Sequence, residues 1–316
     1  MNRAAPRSID QYLNQLRQTL AGEDAALIQD ALYDAEEYLR AEVASHPDKT
    51  EADVLEIIAS TYGDPEEVAA AYRDTEVKVK AALKTPAKVS PAAAGRPRSA
   101  PRRFFDIFTD PRAYTSVFFM LLSLATGIVY FTVAVTGMSL SIGLAVLIVG
   151  VPFFLTFIGL TRILSLAEGR LIEAMTGERM PRRPVHPGPA KGFWNRIVDM
   201  LTDGRTWTTL AYFVLMLPVG ILYFVMAIIG LAFSVTMIFA PLAAIAHHFH
   251  WFGAQYWGTD DWTFSFGDFS PGWLGTIWAT PLCVLLGVLS LTVFMHLARG
   301  IGRLHAHFAK SLLVAG

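Results

Sequence analysis

The stretch "HHFHWFGAQYWGTDDW" (247–262) sets His247, His248 and His250 shortly before Asp260 and Asp261. Imidazole nitrogen and carboxylate oxygen are the donors a divalent transition metal takes. The spacing matches no recognised zinc motif, so these five residues are weak candidates and no metal is expected. Trp251, Tyr256, Trp257 and Trp262, with Trp273 further on, give this region a plainer reading, a belt of amphipathic rings at a membrane–water boundary. A second charged group lies on helix 24–44, where Asp30, Asp34, Glu37 and Glu42 form an acidic face suited to steering a basic protein partner. A merely solvated face is the alternative. The one cysteine, Cys283, sits in an apolar run and reads as a packing residue; it excludes an internal disulfide framework and a CxxC zinc site. No nucleophile–base pair, phosphate-binding loop, Gly-rich dinucleotide turn or paired-carboxylate site is recognisable. The expectation is a non-enzyme without a cofactor.

The elements that would hold these groups are mostly apolar. Of 316 residues, 53% are hydrophobic and 17% charged, against about 25% charged in soluble proteins. No Asp, Glu, Lys or Arg occurs from Ala113 to Thr161 or from Thr206 to Thr259. About 20 apolar residues cross a bilayer, so spanning helices are expected near 114–136, 140–161, 207–230 and 276–298, the first two joined by a tight turn in "TGMSLS" (136–141). The run 231–246 reads as re-entrant, interfacial or a continuation of the third helix, interrupted near Pro241. Lys and Arg cluster in 162–205 and after Arg299 and are absent between Arg205 and Arg299. Cationic loops stay in the cytoplasm, so both termini are expected on the cytoplasmic side of the membrane. The charged N-terminus lacks the apolar core of a signal peptide.

The membrane half is written twice. Residues 108–137 and 201–230 align without a gap at an offset of 93. Asp110, Arg112, Gly127 and Tyr130 recur as Asp203, Arg205, Gly220 and Tyr223. Further on, 160–177 is echoed by 297–314 at an offset of 137, with Leu160, Leu164, Ala167, Leu171 and Met175 matched by Leu297, Ile301, Leu304, Phe308 and Leu312. Each unit (104–177 and 197–314) reads as an outward helix, an inward helix and an amphipathic helix lying on the cytoplasmic surface. Two units entering from the same side imply a pseudo-two-fold axis along the membrane normal. Within the repeated Thr-Asp-x-Arg, Asp or Thr caps the free N–H groups of each spanning helix, and Arg112 and Arg205 anchor at the headgroups. Tyr130 and Tyr223 are expected to pack or hydrogen-bond across the repeat interface.

Residues 1–76 read as a soluble helical domain: Ser8 and Gln11 make a capping pattern, and Asp64-Pro65 restarts a helix after Gly63. "YLNQLRQTL", "DALYDAEEYL" and "YGDPEEVA" resemble the HAAS signalling domain of bacterial membrane proteins. The repeated "G-I-x-Y-F" helices and "LTRILSLAEGRLIEAMTG" resemble the transmembrane sensor domain found in bacterial sensor histidine kinases. Between them, 77–103 is basic, Pro- and Ala-rich and reads as a flexible linker that can meet anionic lipid. The resemblances imply an all-α chain: a soluble domain, then a four-helix membrane bundle at 104–316. With no phosphoacceptor or ATPase domain in the sequence, kinase activity is not expected of this polypeptide. They imply a sensor relaying an envelope or membrane-state signal to a cytoplasmic transcriptional regulator or kinase. Membrane lipid is the other expected partner, nucleic acid is not one, and self-association is open. A channel, transporter or lipid-handling protein is the alternative.

Overall fold

The computed structural model describes residues 5–83, 104–145, 150–183, 198, 200–248 and 280–314. Eight α-helices occur among them and no strand: α1 (Ile9–Thr19), α2 (Ala25–Ser45), α3 (Glu51–Thr61), α4 (Pro65–Leu83), α5 (Pro111–Leu144), α6 (Gly150–Thr176), α7 (Gly204–His248) and α8 (Thr280–Leu313). A 3-10 turn, Asp106–Thr109, precedes α5. The fold class is all-α, with a helical N-terminal part followed by a helical bundle. Four helices, α5 to α8, are long and apolar enough to cross a membrane.

The chain divides into two compact units, Met1–Ser90 with Val129–Leu215 and His305–Gly316, and Pro91–Ile128 with Met216–Leu304. In the first, α1 to α4 close on an apolar core. Ser8 caps α1 by accepting from the Gln11 N–H, Asp24 caps α2 through Ala26, and Thr50 with Asp53 makes a capping box on α3. Tyr12, Leu16 and Leu20 meet Leu27, Ala31, Ala35 and Leu39, with Val54, Leu55, Ile58 and Val68 behind them. Burying each large side chain contributes about 1.5–3 kcal/mol. Ile57, beside Ile58 in α3, is exposed. Gly63 closes α3 at φ +100°, a left-handed turn that favours glycine. Its carbonyl accepts from the Tyr12 hydroxyl at 2.8 Å. Burial, chiefly, pushes that phenol above its ordinary pKa, so it remains a donor.

In the second unit the helices pack through glycine. A Cβ on Gly127 would lie 2.6 Å from the Met216 carbonyl oxygen, and one on Gly220 2.3 Å from that of Ser123. Gly127 and Gly220 are repeat equivalents, as are Ser123 and Met216, so the contact is reciprocal, as a two-fold relation requires. Small residues let helix backbones approach this closely in a membrane. Met120, Ala227, Phe294 and Ala298 fill the space alongside, with Tyr223 packed against them.

Three expectations change. α5 does not turn at 136–141 but continues to Leu144. Gly137 is a contact residue, because a Cβ there would lie 2.2 Å from the Phe157 ring. No separate amphipathic helix leaves α6 or α8; each runs unbroken, for 27 and 34 residues, through the segment read as lying on the surface. Among the alternatives for 231–246, continuation holds: α7 is one 45-residue helix that includes Pro218 and Pro241. The segment read as linker from 77 is helical to Leu83, since Val-Lys-Val-Lys-Ala-Ala-Leu holds no breaker; 84–103 lies outside the described residues.

Candidate functional site at the ends of the long helices

Gly177, at φ +75°, ends α6 and lets the chain reverse. The residues that follow, to Arg183, run along α2. Arg179 is 7% exposed and sits among three carboxylates. Its Nη2 donates to Asp30 Oδ2 at 2.7 Å and its Nε to Glu76 Oε2 at 3.2 Å, while Nη1 lies 3.7 Å from Glu173 Oε2. The other oxygen of Asp30 accepts from the main-chain N–H groups of Arg182 and Arg183 at 2.8 and 2.9 Å. Arg182 Nη2 donates to Glu173 Oε1 at 2.8 Å, and Lys80 lies 3.8 Å from Glu76. Burial works against the Arg179 charge, but Asp30 and Glu76 outweigh it and raise the guanidinium's pKa. Arg183 stands over the Tyr33 ring and 2.9 Å from Asp34 Oδ1, a charge contact without a directed hydrogen bond. Asp34 Oδ2 accepts from the Tyr72 hydroxyl at 3.0 Å.

The four acidic residues therefore do not share one exposed face. Asp30 is 6% exposed and held by Arg179. Asp34 is half-buried, Glu42 half-exposed at the end of α2, and Glu37 exposed. Helical spacing put all four off the apolar stripe, but a later part of the chain covers that side.

Deeper in the same unit lies a cluster that sequence reading missed. Glu168, fully buried, accepts from the Tyr130 hydroxyl on Oε2 and from the Tyr212 hydroxyl on Oε1, both at 2.8 Å. His305 Nε2 lies 3.1 Å from the Tyr212 oxygen and 3.9 Å from Glu168 Oε1. With the Tyr212 hydroxyl donating to Glu168, the His305 tautomer that carries its proton on Nε2 is the one that would complete the contact. Tyr130 stacks on Phe213 at 4.8 Å between centroids. An ionisable group within a span-capable helix is a functional candidate by its cost alone. The signal was present: Glu168 and His305 are repeat equivalents, an acid matched with a base.

The Thr-Asp-x-Arg carboxylates have two functions. Asp110 Oδ1 accepts from the Arg112 N–H at 3.0 Å, and Asp203 Oδ1 from the Arg205 N–H at 3.1 Å. Their second oxygens meet arginines of the opposite repeat, Arg299 at 2.8 Å from Asp110 and Arg162 at 3.9 Å from Asp203. Arg205 Nη2 donates to Gln29 Oε1 at 2.9 Å and to the Val314 carbonyl at 2.6 Å. His247 and His248 end α7, but their side chains, and all of His250, Asp260, Asp261 and the expected tryptophan belt, lie outside the described residues. Cys283 is buried.

Residues 119–313 match the family described as "Putative sensor", and residues 11–71 match HAAS. The chain belongs to that sensor family, carrying a HAAS domain ahead of it. No curated protein and no solved structure matches it. Four apolar helices and these two families define a membrane protein with a sensing and signalling role.

Proposed function

We propose that the protein is a non-catalytic sensor of the bacterial inner membrane, with both termini in the cytoplasm, that relays an envelope or membrane-state signal to a cytoplasmic protein. The HAAS domain (1–76) is the output, and the membrane half (104–316) controls its availability. The observation that carries this is the capture of Asp30 by Arg179 and by two main-chain N–H groups. An acidic patch that would steer a basic partner is closed by a segment attached directly to a membrane-spanning helix. A shift of α6 that withdraws Arg179 leaves Asp30, Asp34 and Glu37 accessible on one helix. In a strain deleted for the protein, full-length Arg179→Ala should give a signalling-on phenotype, and Glu37→Lys combined with Glu42→Lys should give loss of output with insertion intact. Restoration of the full wild-type phenotype by 104–316 alone would overturn the reading, because the bundle would then be the working part.

A further inference from the structure

The same unit contains a cavity of about 70 Å³ whose wall includes Arg162, Arg205, Asp203, Ser165, Thr209 and Gln29. Its arginines differ from Arg179. Arg179 is matched by carboxylates on three sides. Among the described residues the Arg205 guanidinium hydrogen-bonds neutral oxygens, those of Gln29 and Val314, and its Nε is buried with no hydrogen-bond partner. Asp203 is turned toward its own helix start and stands 3.9 Å from Arg162, beyond hydrogen-bond reach. Two guanidinium groups thus share one distant carboxylate beside a space lined with hydroxyls. Arg205 is half-buried, and a guanidinium partly withdrawn from water with one distant carboxylate for a counter-charge is favoured by an anion that comes to it.

We infer that this cavity binds a phosphate group, its oxygens taken by Arg205 and Arg162. The planar fork of arginine fits phosphate, which it binds in paired, charge-assisted hydrogen bonds. Arg205 is the second residue of a span-capable helix, the level at which lipid phosphates lie. The phosphate can come from an anionic lipid headgroup or from free phosphate. Gln29 belongs to α2 and shares Arg205 Nη2, so an occupant competes with the HAAS domain for that arginine. This last coupling rests on the relay reading; the site itself does not.

The test uses the full chain in detergent, with retained phosphatidylglycerol counted by native mass spectrometry and inorganic phosphate binding measured by calorimetry. Arg205→Gln and Arg162→Gln should each weaken binding at least roughly tenfold, the effect of one charge-assisted hydrogen bond. Arg170→Gln, an exposed cation outside the cavity, should not. Arg205→Lys keeps the charge without the fork and should fall between, which separates lost chemistry from lost folding. Lipid retention that obeys this order identifies the headgroup as the source; inorganic phosphate binding that obeys it, with lipid indifferent, identifies the free anion. Absence of both, or an equal loss in Arg170→Gln, overturns the site. Hydrogen exchange in α2 that ignores a bound lipid would sink the coupling while leaving the site standing.

Discussion

The two membrane repeats share a skeleton and differ in what they hold. Gly137 faces Phe157, and its equivalent Gly230 faces Phe294, the equivalent of Phe157; the two Cβ positions would lie 2.2 and 2.3 Å from the rings. The Tyr114 hydroxyl donates to the Phe108 carbonyl, and the Trp207 indole, its equivalent, to the Leu201 carbonyl. Packing and capping contacts were therefore kept after duplication. The polar contacts diverged. Tyr130 binds a buried carboxylate, whereas Tyr223 packs against the cluster of Met120, Ala227, Phe294 and Ala298. Glu168 became His305 in the other copy, or the reverse. The segment after α6 grips α2 through Asp30, whereas the second repeat reaches α2 through Arg205 on Gln29 and Lys310 on the Asp24 cap. Duplication supplied a symmetric scaffold, and the polar contacts are where the two copies differ.

The largest break in that comparison should come at Arg179. Arg179→Ala leaves Asp30, Glu76 and Glu173 close together without their shared cation. Removing one partner of a buried ion pair costs about 3–5 kcal/mol. Amide exchange of α2 and of 177–183 in the full chain should rise accordingly, while exchange in α5 and α7 stays unchanged. Arg299→Ala, at the half-exposed ion pair with Asp110, should cost no more than about 1 kcal/mol.

The next effect is expected at Glu168. A glutamine there offers an N–H₂ group to one of two hydroxyls that need an acceptor, so Glu168→Gln should cost about 1.5–3 kcal/mol in thermal unfolding of the detergent-solubilised chain. Tyr130→Phe should cost a similar amount. The double variant should fall well short of the sum, because both remove one interaction. Full additivity would mean that the 2.8 Å contact contributes nothing.

These two sites also show where sequence reading stops. The cap at Ser8 and those at the two Thr-Asp-x-Arg starts are local, set within three residues, and were legible from residue type, with Asp or Thr left open as the capping residue of the latter. So were the existence of four spans and the repeat. The Arg179–Asp30 contact joins residues 149 apart, and no periodicity encodes it. Glu168 was passed over because the amphipathic pattern of 160–177 fits a surface helix as well as the buried end of a long one. Gly137 was read as a turn because glycine serves both turns and close packing. Its equivalent Gly230, in the middle of an uninterrupted apolar run, already favoured packing.

Glycine substitutions sharpen the shared part of the comparison. Gly137→Ala and Gly230→Ala should each cost about 1–3 kcal/mol by overpacking, and shortening the facing ring, as in Phe157→Leu or Phe294→Leu, should recover part of it. Gly159→Ala meets open space in the interior of α6 and should instead stabilise by about 0.5–1 kcal/mol. Thermal midpoints of the three single variants give the order directly; equal shifts would remove the packing role.

The smallest effect separates the two capping carboxylates. Asparagine caps a helix about as well as aspartate, so Asp110→Asn and Asp203→Asn retain the first-turn hydrogen bond and remove only the ion pair. Both pairs are partly exposed, which limits each to about 1 kcal/mol or less. Within that limit Asp110→Asn should cost more, since Arg299 is 2.8 Å away and Arg162 is 3.9 Å from Asp203. Removing the Asp203 charge should also tighten phosphate binding, because it takes a carboxylate from the wall of the cavity while leaving Arg162 and Arg205 in place. Thermal unfolding with and without phosphate measures both quantities on the same two variants. A larger loss at Asp203 than at Asp110, with no gain in phosphate binding, would mean that the looser pair is the structural one and that the repeats differ there for a reason unrelated to the cavity.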